Sequence, residues 1–163
     1  MIPMAPALFR RNFDSALDPL TAQNALRIGV LSEWTPEITF TTPGDLSVAY
    51  SFRAGTLTSI GKLRFLTFSI TTSGFTHSTA SGNFKITGSP VVEEQVLMDW
   101  GGFMVQWRGI TKANYTQIAP RITGGEIFLQ ASGSGQTPVS IATGDMPTGG
   151  TVQLRGQAIF TST

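Results

Sequence analysis

The stretch VAYSFRAGTLTSIGKLRFLTFSI, residues 48–70, predicts the fold of this chain. Two runs rich in Thr, Phe and Ile meet at Ser59-Ile60-Gly61-Lys62. A third run, Gly82 to Thr87, ends at Gly88-Ser89-Pro90. β-branched and aromatic residues favour strands, while Gly and Pro end them, so this stretch predicts consecutive β-strands joined by turns.

The run from Leu63 to Ile70 is apolar on both of its faces. In a strand, Leu63 and Phe65 point to one side, whereas Leu66, Phe68 and Ile70 point to the other. A strand with one face in water does not need apolar residues on both sides. We therefore expect both faces to be covered, either by a second sheet or by another subunit.

The composition is that of a compact β domain with a neutral surface. A chain of 163 residues fits one domain with a buried core. Charged residues make up 13%, about half the usual share. The net charge of +1 provides no basic field for nucleic acid. The chain has no Cys, which excludes disulfides and thiolate metal sites and fits either a cytosolic assembly or a robust particle.

The N-terminal segment does not resemble an export signal. Met1 to Leu8 is apolar, but Arg10 and Arg11 follow it, whereas a signal peptide places its charges first. No run approaches the ~20 apolar residues of a membrane span. We expect a soluble protein that is neither exported by a cleaved signal nor bound to a membrane.

Residues 1–32 predict an N-terminal arm distinct from the rest of the chain. Prolines interrupt the segment, and Asp18-Pro19 predicts the start of a short helix through Leu26 that Gly29 ends. The segment has two interpretations. It is either an ordered tail packed on its own domain or an arm that docks on a neighbouring subunit or another protein.

The candidate partner-binding residues are Phe9, Arg10, Arg11 and Phe13, in which two aromatics flank two arginines. Aromatic residues and Arg are enriched in protein–protein interfaces and dominate their energetics. This segment is therefore the predicted attachment or oligomer contact.

Residues 33–163 predict an all-β domain. Turns are expected at Pro43-Gly44-Asp45 and Trp100-Gly101-Gly102, and a loop up to about Ile118. About eight to ten short strands predict an antiparallel β-sandwich or jelly roll. The predicted strands are Glu37–Thr42 with Ile38 and Phe40 inward, a run with Val48, Tyr50 and Phe52 on one face and Ser51 and Arg53 on the other, Leu63–Ile70, Gly82–Thr87, Val91–Asp99, Phe103–Trp107, Gly125–Ala131, Val139–Ala142 and Val152–Phe160.

Catalysis has little support in the sequence. His77 is the only histidine, and adjacency to Ser78 does not make a triad, which is assembled in space with an orienting acid. We interpret His77 as an ordinary loop residue, with a pH-sensitive subunit contact as the alternative. A metal site would have to depend on carboxylates.

The carboxylates and motifs also argue against enzyme function. Glu93 and Glu94 are adjacent and would point to opposite faces of a strand, whereas a glycosidase needs two carboxyls facing one bond. No nucleotide-binding glycine motif occurs. We therefore predict no catalytic, cofactor-binding or metal-binding residues. The aromatics that could stack on a sugar or seat a partner, and are more often core residues, are Trp34, Trp100, Trp107 and Tyr115.

Four segments together resemble a recurrent bacteriophage module: WTPEITF at 34–40, Tyr50, GTLTSIGK at 55–62 and ASGNFKITGSP at 80–90. The resemblance covers residues 34–163 and is to β-sandwich domains of phage tail-fibre tips and capsid decoration (cement or head-fibre) proteins. It implies a commonly homotrimeric virion component. The chain has Leu57 where the module usually has Tyr, and Ser89 where it usually has Leu.

The resemblance leads to two expectations about function. The first is a non-enzymatic, homotrimeric capsid decoration protein that binds and stabilises the major capsid protein lattice on the virion surface. The alternative is a tail-fibre or receptor-binding tip that recognises host surface carbohydrate. Because a long fibre has a shaft before its tip and only about thirty residues precede this domain, the sequence favours decoration. The expected partners are further copies of the chain and the major capsid protein or other virion proteins, with a host glycan in the alternative and no nucleic acid.

Overall fold

The computed structural model describes residues 29–91 and 102–161 of the chain. These residues form ten strands and one turn of 3₁₀ helix, Thr143–Asp145. The strands are β1 (Val30–Trp34), β2 (Glu37–Thr42), β3 (Ser47–Ile60), β4 (Leu63–Thr76), β5 (Ser81–Thr87), β6 (Gly102–Arg108), β7 (Gln117–Thr123), β8 (Glu126–Ser132), β9 (Val139–Ser140) and β10 (Gln153–Thr161).

The strands form two antiparallel sheets that pack as a β-sandwich, as the sequence predicts. Sheet A has the order β1-β3-β4-β10-β6. Sheet B has the order β2-β5-β8-β7, and β9 pairs with β8 beside that path. Every pairing is antiparallel. The chain therefore folds into the two-layered class of all-β domains.

The β3–β4 hairpin is the longest paired unit in the described residues, with 14 residues in each strand. Its ladder runs from Ile60↔Leu63 at the turn to Ser47↔Thr76 at the far end. Gly61 has a φ of 57° in the two-residue turn, a conformation that favours Gly in tight hairpins. The predicted turn at residues 59–62 is confirmed.

The core lies between the inner faces of the two sheets. From sheet A, Leu66, Phe68 and Ile70 are buried, as their alternation predicts. Ile38 and Phe40 of β2 are also buried, as predicted. Each such side chain stabilises the fold by about 1.5–3 kcal/mol through removal from water. Other core residues include Phe84, Ile86, Ile122, Ile127, Leu129, Leu154 and Phe160.

The prediction that Phe52 shares a face with Val48 and Tyr50 is wrong. The β3–β4 register shifts between Ala49 and Tyr50 and again between Tyr50 and Phe52. Such irregularities break strict alternation along a strand. Val48 and Tyr50 pack against the core, whereas Phe52 is 53% exposed.

Two strands are not indicated by the sequence pattern. β7 begins at the end of the expected loop and continues through a stretch for which the sequence predicts no strand, and it contains Pro120, a residue that disfavours strands. Pro120 is tolerated because β7 is the last strand of sheet B and pairs with β8 alone within that sheet. β1 is the second strand that the sequence pattern does not indicate. It pairs with β3 from Val30↔Ser59 to Trp34↔Gly55.

Most other predicted strands agree with the structure within a few residues. β2 has the predicted bounds, β5 differs from its prediction by one residue at one end, and β6, β8 and β10 differ by one residue at each end. β9 is shorter than the predicted Val139–Ala142. Three predictions fall outside the described residues: the helix through Leu26, all of the strand Val91–Asp99 except Val91, and the turn at Trp100 and Gly101.

A polar cluster joins the two sheets along one side of the sandwich. The Tyr50 hydroxyl on β3 accepts a 2.7 Å hydrogen bond from the Ile38 amide on β2. The Arg53 guanidinium lies 4.5 Å from the centre of the Tyr50 ring and pairs with Glu37 at 2.9 Å. Burial raises the pKa of Tyr50 above its ordinary value, so the hydroxyl remains protonated at neutral pH.

Gly55 provides the space for Trp34, which is the buried residue of β1. A Cβ atom at position 55 would overlap indole atoms Cε2 and Nε1 of Trp34. Because Trp34 is 8% exposed, its ring has little room to move. We expect Gly55→Ala to lower the free energy of unfolding by about 1–3 kcal/mol, the usual cost of overpacking a core.

Gly74→Ala is the matched control, since Gly74 also lies in a strand of sheet A. Its added Cβ would lie 3.6 Å from the Cβ of Ala49, an ordinary contact. Urea unfolding monitored by Trp fluorescence measures both variants. Equal stability of the two variants would contradict the packing role of Gly55.

Candidate functional site

The predicted anchor residues Phe9, Arg10, Arg11 and Phe13 lie outside the described residues. Glu93, Glu94 and Trp100 also lie outside them. The candidate surfaces among the described residues therefore all lie on the sandwich. The outer face of sheet A exposes more large apolar side chains than the other surfaces do.

The outer face of sheet A is the side that points away from sheet B. It carries Phe52, which is 53% exposed, and Val105, which is 68% exposed. Isolated exposed apolar residues are common on monomers, but several on one face indicate an interaction surface. The other residues of this face include Leu31, Glu33, Ala54, Thr56, Leu63, Phe65, Thr67, Ser69, Phe103, Arg155, Gln157 and Ile159.

The middle of this face is a shallow groove of about 340 Å³. Small residues line it, including Ala54 and Ser69, and the hydroxyls of Thr56 and Thr67 hydrogen-bond at 2.7 Å. Phe52 and Val105 also line the groove. The groove is therefore mostly apolar, with small side chains in it and the large apolar side chains of Phe52 and Val105 beside them.

The sequence predicts that both faces of Leu63–Ile70 are covered, and the structure shows a cover on one face, while the cover on the other face stays a prediction. Sheet B covers Leu66, Phe68 and Ile70, whereas Leu63 is 37% exposed on the opposite face. Phe103 and Val105 of β6 extend the exposed surface. The sequence predicts β6 correctly, but that Phe103 and Val105 share a face with Leu63 follows only from the strand order and from the register of β6 on β10.

Asp45 organises the loop between β4 and β5. Its carboxylate accepts hydrogen bonds from the Ser78 hydroxyl at 2.6 Å, the Ser78 amide at 2.8 Å and the Thr79 amide at 2.7 Å. The Thr79 hydroxyl adds a fourth donor at 3.0 Å. These bonds, led by that of the Ser78 hydroxyl, hold the pKa of Asp45 well below its ordinary value.

His77 lies in this loop and contacts the aromatic core. Its ring is 5.2 Å from that of Phe40 and 5.7 Å from that of Phe75, both edge-to-face. Its Nε2 atom is buried without a hydrogen-bond partner among the described residues. Ser78 donates to Asp45 and not to His77, so the three side chains do not form the relay that a triad needs.

The remaining charged clusters are structural pairs within the chain. Lys85 pairs with Glu126 at 2.6 Å, and Lys112 pairs with Asp145 at 2.7 Å. In residues 29–91 and 102–161, no three His, Cys, Asp or Glu side chains are placed to hold a metal ion. No helix in these ranges has the length and apolar character needed to cross a membrane.

The aromatic residues divide between core and surface. Trp34 is in the core, as its more common role predicts. Trp107 is 38% exposed. Tyr115 donates a hydrogen bond from its hydroxyl to the Thr137 carbonyl at 3.0 Å and packs partly on the core. These positions do not form a common aromatic platform.

Comparison with known proteins gives a fold likeness. No protein-family model and no curated protein matches the chain. Among solved structures, the chain is similar to the crystal structure of the Dettilon tailspike protein (gp208), with a TM-score of 0.60 and 16% sequence identity. The match covers 80% of this chain and 23% of the tailspike chain, so the likeness is to a part of that protein.

The Asp45 contacts predict a loop held together by one carboxylate. Because the folded-state pKa is depressed, the stabilisation is present above the unfolded pKa of about 3.9 and is lost as the pH falls through the folded value. We expect Asp45→Ala to speed hydrogen exchange at the Ser78 and Thr79 amides at neutral pH. Asp45→Asn, which keeps one acceptor oxygen, should give an intermediate rate. Unchanged protection in Asp45→Ala would contradict the role of the carboxylate.

Proposed function

We propose that this chain is a non-enzymatic structural protein of a bacteriophage virion. The fold likeness to part of a phage tailspike carries the proposal, since it covers 80% of the chain at a TM-score of 0.60. The sequence resemblance of residues 34–163 to phage β-sandwich modules supports it independently. One fold hosts many functions, so the role within the virion depends on the surface residues of this sandwich.

The surface supports a role in assembly. Large apolar residues are exposed together on the outer face of sheet A, whereas soluble monomers rarely expose large apolar patches. Obligate assemblies bury such faces between subunits. We propose that the protein is a homotrimer in which this face is covered.

The polar chemistry supports a non-enzymatic role. Four described carboxylates, those of Glu37, Asp45, Glu126 and Asp145, each bind a partner within the fold. A glycosidase needs two carboxyls about 5–9.5 Å apart that face one bond. The fifth described carboxylate, Glu33, is exposed on the outer face of sheet A.

Two positions in the virion have support. The tailspike likeness favours a tail component, in which the module contacts other tail proteins or host surface carbohydrate. The sequence resemblance to decoration proteins, together with the Phe9–Phe13 segment, favours a cement protein on the major capsid protein lattice. We place the tail first because its support is a structural comparison over most of the chain.

Self-association has a direct test in the exposed apolar residues. We expect the unaltered protein to be trimeric and Phe52→Asp and Val105→Asp to shift it towards monomer, because each places a charge in a covered apolar contact. Gln117→Asp, at an exposed position at the start of β7 in sheet B, is the control. Light scattering coupled to size exclusion measures all four. A monomeric unaltered protein would contradict the trimer.

Attachment to the particle has a separate test. Purified protein is sedimented with emptied, tail-less capsids and, separately, with isolated tails. Saturable binding to tails supports the tail position, and binding near the number of three-fold or quasi-three-fold capsid sites supports decoration. Absence of binding to either would contradict the virion proposal.

The same assay tests the predicted anchor. Because β1 begins at Val30, a deletion of residues 1–28 leaves every described strand in place. We expect this variant to remain folded and to lose attachment, and we expect the quadruple alanine variant of Phe9, Arg10, Arg11 and Phe13 to lose it as well. Normal occupancy by both variants would exclude the segment as the anchor.

A further inference from the structure

The outer face of sheet A carries opposite charges in its two halves. Glu33 lies on β1, opposite Thr56 of β3. Arg155 lies on β10, opposite Ser69 of β4 on one side and Gln106 of β6 on the other. Arg108, opposite Gln153, adds a second cation at the β6 edge. The β10–β6 half therefore carries two cations, whereas the β1–β3 half carries Glu33, and Arg53, which lines the same depression as Glu33, is already paired with Glu37.

These charges cannot neutralise each other within one chain. β1 and β10 are separated by β3 and β4, so their axes lie about 14 Å apart at ~4.8 Å per strand. Neither Glu33 nor Arg155 has an ion-pair or hydrogen-bond partner within the described ranges, whereas the pairs of Lys85, Lys112 and Arg53 are satisfied locally. Both charges are exposed beside apolar side chains.

Two neighbouring depressions, one lined by Arg155 and the other by Glu33, share residues of β3. The groove that contains Arg155 is also lined by Ala54, Gly55 and Thr56 of β3. The adjoining depression, which contains Glu33, is lined by the same three residues. The side chains on β3 between Glu33 and Arg155 are therefore small. Phe52 and Val105, which are larger, line the depression that contains Arg155.

We propose that the partner covering this face is the neighbouring copy of the chain, seated so that Glu33 of one copy pairs with Arg155 of the next. The inference rests on the proposed homotrimer and specifies its contact. In a ring of three, each interface joins two different patches of the same surface. The β1–β3 half of one copy, which carries Glu33, then meets the β10–β6 half of its neighbour.

The face is divided between two neighbours in a ring of three. Five strands and the nine residues of β10 give a face of roughly 24 by 30 Å at ~4.8 Å between strands and ~3.4 Å per residue. That is about 700 Å² for each copy, or about 350 Å² for each of its two contacts. A partner of one charge sign would leave one half of the face opposed by like charge, whereas a second copy satisfies both halves.

The experiment is a charge-exchange cycle on the full-length protein. The variants are Glu33→Arg, Arg155→Glu and the double exchange, measured by light scattering and native mass spectrometry over a range of concentrations. Each single change opposes two like charges, so we expect the concentration at half-dissociation to rise about tenfold or more. The double exchange restores opposite charges, so we expect it to recover most of that loss.

The controls separate folding from association. Both positions are exposed, so thermal unfolding of each variant, measured by circular dichroism, should match that of the unaltered protein. Gln117→Arg and Gln117→Glu add either charge to sheet B and should leave association unchanged. Single variants that associate normally, or a double exchange no better than either single, would overturn the proposed pairing.

The outcomes also distinguish this inference from the proposed function. If the unaltered protein is trimeric and the single variants remain so, the trimer uses another surface, and the virion role stands. If the unaltered protein is monomeric at every concentration, the pairing is overturned together with the trimer. Sedimentation with capsids and tails then decides the virion role by itself.

Discussion

The register of the β3–β4 hairpin is the constraint on which the rest of the sandwich depends. Side chains alternate across a strand, so a slip of one residue would move Leu66, Phe68 and Ile70 from the core to the outer face. Gly61 fixes the turn, and the ladder keeps that register from Ile60↔Leu63 to Phe52↔Thr71. β1 pairs with β3 and β10 pairs with β4. The register of the hairpin therefore also determines which side chains of β1 and β10 point to the core.

The two faces of the same hairpin differ in the burial of their apolar side chains. Its inner residues are covered by sheet B, but Leu63 and Phe65 lie on the outer face, and the register shifts near Tyr50 add Phe52 to that face. Val105 and Phe103 join them only because β6 pairs with β10 at the edge of the sheet. An uncovered face of this kind is stabilised by any assembly that buries it, which gives association a thermodynamic advantage.

The polar residues inside the fold act as structural links. Asp45 closes the β4–β5 loop, and Tyr50 joins the two sheets through the Ile38 amide. Asp145 accepts from both Lys112 and the Ala142 amide. Among residues 29–91 and 102–161, Glu33 and Arg155 of the outer face have no such partner, and in the proposed trimer they pair with each other between copies.

The sequence by itself determined the fold class and most of the strands. Alternation identifies β2 and β10, the run of apolar residues identifies β4, and Gly61-Lys62 locates the central turn, because these signals are local in the chain. Tertiary structure alone decided what depends on non-local pairing. Pro120 fits in β7 because that strand is at a sheet edge, Phe52 is exposed because the β3–β4 register shifts, and Asp45 meets Ser78 and Thr79 across 33 and 34 positions of sequence. Glu33 and Arg155 share one face because strand order, which local sequence does not encode, places β1 and β10 in the same sheet.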